Sequence, residues 1–72
     1  MRVQASKLLK SARSLRGMTR EEVCLISGYS VNSIKRWEKK EAEPKFNVVL
    51  ELLNDVYKLK YEEAIRLLDE AA

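Results

Sequence analysis

Apolar residues recur at helical spacing through five stretches of the chain. Between Val3 and Arg16, the residues Ala5, Leu8, Leu9, Ala12 and Leu15 form one stripe of an amphipathic helix, which Gly17 ends. A second helix is predicted from Arg20 to about Ser27, burying Val23 and Cys24, with Ile26 as a further candidate. A third runs from Val31 to about Lys39 and turns Ile34 and Trp37 inward, three residues apart on one face. The fourth, from about Lys45 to Tyr57, carries Phe46, Val49, Leu50, Leu53, Val56 and Tyr57 on its stripe, with Val48 and Leu52 to one side, where they either widen the core face or remain for a partner. The fifth, from Tyr61 to about Glu70, presents Tyr61, Ala64, Ile65 and Leu68, with Leu67 off that face. Glu62 and Glu63 suit its positive N-terminal end, and Glu62 stands four residues before Arg66.

The residues between these stretches are those that start and stop helices. Thr19 with Glu22 has the spacing of a capping box, and Met18 and Val23 stand where a hydrophobic staple closes over it. Gly28 suits the positive φ of a tight turn, and Ser30 caps the helix that follows. Two short helices joined by a turn containing Gly are the outline of a helix-turn-helix, spanning about residues 19–39.

Seventy-two residues with 46% apolar content, two Gly and one Pro predict one small all-α domain, residues 1–72, whose limited core would gain from dimerisation. One Cys and no His exclude an internal disulfide and a Cys/His zinc site, and make a reducing cytoplasm the default location. Neither a bilayer-spanning run nor a signal peptide is evident, so no membrane association is expected. Catalysis is not expected either: the carboxylates are scattered, no Gly-rich phosphate loop exists, and Cys24 lacks a His to serve as its base. Nothing implies a cofactor, a metal or a small-molecule ligand. The charge is divided unevenly. Residues 1–40 hold ten Lys or Arg against three Glu, net +7, whereas residues 41–72 hold four against eight acids, net −4. Solvated helix faces account for a charge run alone; a basic half that coincides with a helix-turn-helix is the footprint of a polyanion-binding face.

Counted from Arg20 as first position, small Cys24 falls fifth, Gly28 ninth, Ile34 fifteenth and Trp37 eighteenth. With Leu8 to Arg13 before the motif, Trp37-Glu38 at its end and Pro44 before the next helix, the chain from about Leu8 to Ala64 resembles the Cro and lambda-repressor-like family of DNA-binding domains. The resemblance implies a five-helix bundle that binds double-stranded DNA as a transcriptional regulator. It implies a bacterial or phage repressor, acting as a homodimer on a pseudo-palindromic operator. Arg13 would pair with a buried Glu38; the alternative is an exposed Arg13 touching phosphate. The third helix would enter the major groove, with Val31, Asn32, Ser33 and Arg36 at base edges, because Asn pairs with adenine, Arg with guanine, and a Val methyl meets the thymine methyl. Thr19, Arg20, Ser30, Lys35, Lys39, Lys40 and Lys45 would contact phosphate. Arg20 stands where the family frequently has Gln, and Cys24 where it usually has Ala. Trp37 belongs to the core. Family dimers often meet through the last helix or the loop before it, which makes Leu52, Leu67 and the Ala71-Ala72 tail candidates, against the alternative of scattered exposed apolar residues.

The main departures from the family are Lys40, where Gly commonly ends the recognition helix, and Lys45, where a Ser or Thr cap is usual. Either Lys40 takes a left-handed conformation or the helix runs on. Two other classes fit less well. One is a protein-interaction module, such as an antitoxin or anti-repressor gripping a basic partner with its acidic half. The other is an excisionase-like architectural protein, whose winged fold would place strands after Trp37.

Overall fold

The computed structural model describes residues 4–71, so Val3, the expected start of the first helix, and Ala72 lie outside it. The helices are α1 (Ala5–Leu15), α2 (Arg20–Ser27), α3 (Val31–Glu38), α4 (Phe46–Glu51), which continues as a π turn over Leu52–Val56, and α5 (Tyr61–Ala71). No strand follows Trp37 among the described residues, and the winged alternative therefore lacks its wing. Nor is any helix among them long and apolar enough to cross a membrane.

The helices close over one core of Leu8, Leu9 and Ala12 from α1, Val23 from α2, Ile34 from α3, Val49, Leu52, Leu53, Val56 and Tyr57 from α4 and its π turn, Leu59 from the link that follows, and Ala64 from α5. Full burial of each large side chain contributes about 1.5–3 kcal/mol, which is how so short a chain offsets its backbone entropy. Leu52 is 1% exposed, which removes it from the candidate dimer surface. Five of the six residues from Val48 to Leu53 are apolar, so periodicity alone does not choose the inner face. The face used is Val49, Leu52, Leu53 and Val56, and the wide turn, closed by Tyr57 N–H to Leu52 O at 2.9 Å, brings the Tyr57 ring onto it as well. Phe46, expected inward, is 60% exposed and packs edge-on against Tyr61 instead, while Ile26 and Leu15 also face outward.

Helix ends hold the chain's left-handed residues, Gly17, Gly28, Lys40 and Lys58. At the end of α1, Met18 N–H reaches Arg13 O at 3.2 Å and Gly17 N–H reaches Ser14 O at 3.1 Å, a Schellman closure with Gly17 at φ 63°. At the end of α3 the same pair of bonds recurs, Glu41 N–H to Arg36 O at 2.9 Å and Lys40 N–H to Trp37 O at 3.4 Å, with Lys40 at φ 63°. Of the two paths left open for Lys40, the left-handed one is taken. Lys58, at φ 56°, closes the π turn in the same conformation. A side chain in that region costs about 1–2 kcal/mol, partly offset in Gly by the freedom of its unfolded chain. Lys40→Gly is accordingly expected to stabilise the fold by about 0.5–1 kcal/mol, read as a rise in urea midpoint at constant slope.

Two side-chain features of the core carry consequences of their own. Arg16 donates to the carbonyls of Tyr57 at 2.6 Å and Lys58 at 3.1 Å, tying the last carbonyls of the π turn to the end of α1. The Tyr57 hydroxyl is buried with no hydrogen-bond partner among the described residues, and burial, then the nearby Glu38 carboxylate, push its pKa up to about 12. The neutral phenol is therefore the form the fold favours. Its contribution is complete below the unfolded value near pH 10 and is lost as pH rises from about 10 to about 12. Tyr57→Phe removes an unpaired buried hydroxyl, so it is expected to stabilise the protein at neutral pH by about 1 kcal/mol and to abolish that alkaline loss, as followed by denaturation at pH 7 and pH 11.

Candidate nucleic-acid interface

The two helices of the motif are set by their caps. Thr19 Oγ1 accepts from Glu22 N–H at 3.1 Å and the Glu22 carboxylate accepts from Thr19 N–H at 2.9 Å, the reciprocal box expected for this pair. Met18 packs against the core on one side of that cap and Val23 is fully buried on the other. Gly28 ends α2 at φ 85°, its N–H on Cys24 O at 2.9 Å. Cys24 itself is partly buried against the core, in a packing position. Ser30 then caps α3, accepting from Ser33 N–H at 3.1 Å and donating to Ser33 Oγ at 3.0 Å. Its hydroxyl serves the cap in the free protein.

The eight residues of α3 make a rod about 12 Å long, and a helix with its side chains is about 10–12 Å across, which a B-DNA major groove about 12 Å wide admits. Ile34 and Glu38 are buried on its inner side, and Trp37 is half-buried, edge-on to Tyr29 with ring centroids 5.3 Å apart. Trp37 thus takes the core position expected of it. The opposite side exposes Asn32, Lys35, Arg36 and Lys39, with Val31 and Ser33 half-exposed at its N-terminal end.

Glu38 is the buried charge that holds this helix in place. Its side chain is 1% exposed and accepts both arms of Arg13, Nε to Oε2 at 2.8 Å and Nη2 to Oε1 at 2.9 Å. Arg13 Nη1 donates to Met18 O at 3.0 Å, so one guanidinium links the end of α1, the cap of α2 and the end of α3. The hydrogen bond to Glu38 raises the Arg13 pKa, and burial opposes it. Arg13 is therefore the ion-pair partner rather than a free phosphate contact. A second guanidinium, that of Arg20, also reaches Oε1, at 3.3 Å from Nε and 3.2 Å from Nη2. In the free protein Arg20, a candidate phosphate contact, is tethered to Glu38. Eighteen residues separate the two, and no local pattern signals the contact.

Arg13, Thr19, Arg20, Val31 and Lys35 line one cleft of about 430 Å³ where the end of α1 meets α2 and α3. The remaining candidates are not in it. Asn32, Arg36 and Lys39 stand on the outer side of α3, Lys40 lies beside Gln4 and Ser6 at the start of α1, and Lys45 is the exposed residue before α4. Lys45 caps α4 by backbone alone, without a side-chain hydrogen bond. Leu67 is 36% exposed and, with Leu15, borders an apolar groove of about 540 Å³ between α1 and α5.

A family model for helix-turn-helix domains matches residues 9–55 of the chain. No curated protein and no solved structure matches it.

Proposed function

Because the chain belongs to the Cro and lambda-repressor-like helix-turn-helix family, whose members are DNA-binding transcriptional regulators, we propose that it is a small repressor acting in the cytoplasm. Two copies bind a pseudo-palindromic operator whose half-sites lie about one helical turn apart. The observation that carries this reading is the division of α3, with Ile34 and Glu38 buried on one side and Asn32, Lys35, Arg36 and Lys39 exposed on the other. Asn32 offers the paired acceptor and donor that read adenine, Arg36 offers the paired donors that read guanine, and Val31 and Ser33 complete the base-facing end. Thr19, Lys35, Lys39, Lys40 and Lys45 position the helix through phosphate. The domain blocks or recruits at a promoter without performing catalysis. The second copy is assigned to the apolar groove beside Leu15 and Leu67, where a two-fold contact would cover both leucines.

Two substitutions separate the roles. Arg36→Ala is expected to relax preference at one base position by about 1–3 kcal/mol, whereas Lys39→Ala weakens all sequences alike and lowers the salt slope by about one. Competition binding against an array of single-base variants reads both. Equal loss on every sequence for Arg36→Ala contradicts its assignment as a base reader.

A further inference from the structure

Glu38 Oε1 accepts three N–H donors, one from Arg13 at 2.9 Å and two from Arg20 at 3.2 and 3.3 Å. A carboxylate oxygen has two lone-pair directions, so the third donor is in excess, and the distances show that Arg20 is the weaker partner. Arg20 is also the more exposed, at 28% of its side chain against 18% for Arg13. If Arg20 leaves, Glu38 keeps both arms of Arg13 and is not left as a buried unpaired charge. We propose that Arg20 is a two-position arm. In the free protein Glu38 parks its guanidinium at the mouth of the cleft shared with Thr19, Val31 and Lys35, and on binding the arm transfers to a DNA phosphate. Glu38 is then a positioning residue for this contact as well as the anchor of α3. A phosphate outcompetes the tether because it offers a full charge and unshared oxygens to a fork that otherwise shares a crowded one.

This inference rests on the DNA-binding reading, and the test keeps the two apart. Binding of the wild type, Arg20→Ala and Arg20→Lys to a mixed-sequence duplex of about 20 base pairs, two helical turns, is titrated across salt concentrations. Arg20→Ala is expected to lower the slope of log affinity against log salt by about 0.9, equally on all sequences, and Arg20→Lys to restore it. The melting temperature of the free protein moves by no more than about 5 °C, since Glu38 keeps both arms of Arg13 and the bonds lost with Arg20 are the longer ones. In nitrogen-15 spectra the Arg20 Nε–H resonance, identified by its loss in Arg20→Lys, shifts on adding the duplex while that of Arg13 stays. An unchanged salt slope in Arg20→Ala, or an Arg20 resonance that does not move while the wild type binds, overturns the arm. If the wild type itself shows no salt-dependent binding, the DNA-binding reading fails and the arm with it.

Discussion

Replacing Glu38 by Ala is expected to cost about 3–5 kcal/mol, because it strips a bidentate partner from the part-buried Arg13 and leaves a hole where α1, α2 and α3 meet. A chain of this length has only about 4–11 kcal/mol of stability in total, so the loss removes a large fraction of it. Glu38→Gln keeps the shape and some of the hydrogen bonding, and should cost less than Ala. Replacing the pair together by apolar residues, Arg13→Met with Glu38→Leu, should recover most of the loss, since neither charge is then left alone. Urea denaturation of the singles and the double gives the coupling directly. Arg20→Ala, although it touches the same carboxylate, should lose at most about 1 kcal/mol. A loss as large as that of Glu38→Ala would mean that Arg20, not Arg13, is the structural partner.

Neutralising Lys35, Arg36 and Lys39 together to Ala is expected to weaken duplex binding at least about a hundredfold, and to lower the salt slope by about 1.8–2.7, the release of two to three counterions. All three lie on the exposed side of α3, so the fold should tolerate the change. The same variant separates DNA recognition from a protein-interaction role built on the acidic half of the chain. Binding to a partner that survives neutralisation of α3 would place the working surface elsewhere.

How far the sequence reaches is clear from individual residues. Thr19, Glu22, Gly28 and Ser30 act within a few residues of themselves, and their caps are legible from spacing alone. The Arg13–Glu38 pair spans 25 residues and was reachable only through resemblance to a family. Contacts that neither spacing nor family pattern encodes were not legible. Arg16 finds its carbonyl partners 41 and 42 residues away, and Arg20 shares a carboxylate already claimed by Arg13. Spacing leaves Leu52 open between core and partner surface because the stretch from Val48 to Leu53 is apolar on nearly every side, so that only packing against α1 and α2 decides its inner face. Leu25 and Ile26, 85% and 60% exposed at the end of α2, show the converse: apolar identity does not by itself mean burial. The site follows the same division. Which residues α3 exposes follows from its period, but the cleft joining Thr19, Arg20, Val31 and Lys35 depends on how α2 and α3 cross.

The most direct test of the central claim is a binding selection on a randomised DNA duplex, with the retained pools titrated at several salt concentrations. The account predicts enrichment of an inverted repeat with half-sites about 10 base pairs apart, and a steep loss of affinity with salt. Failure to enrich any sequence, with little retention even at low salt, would contradict it.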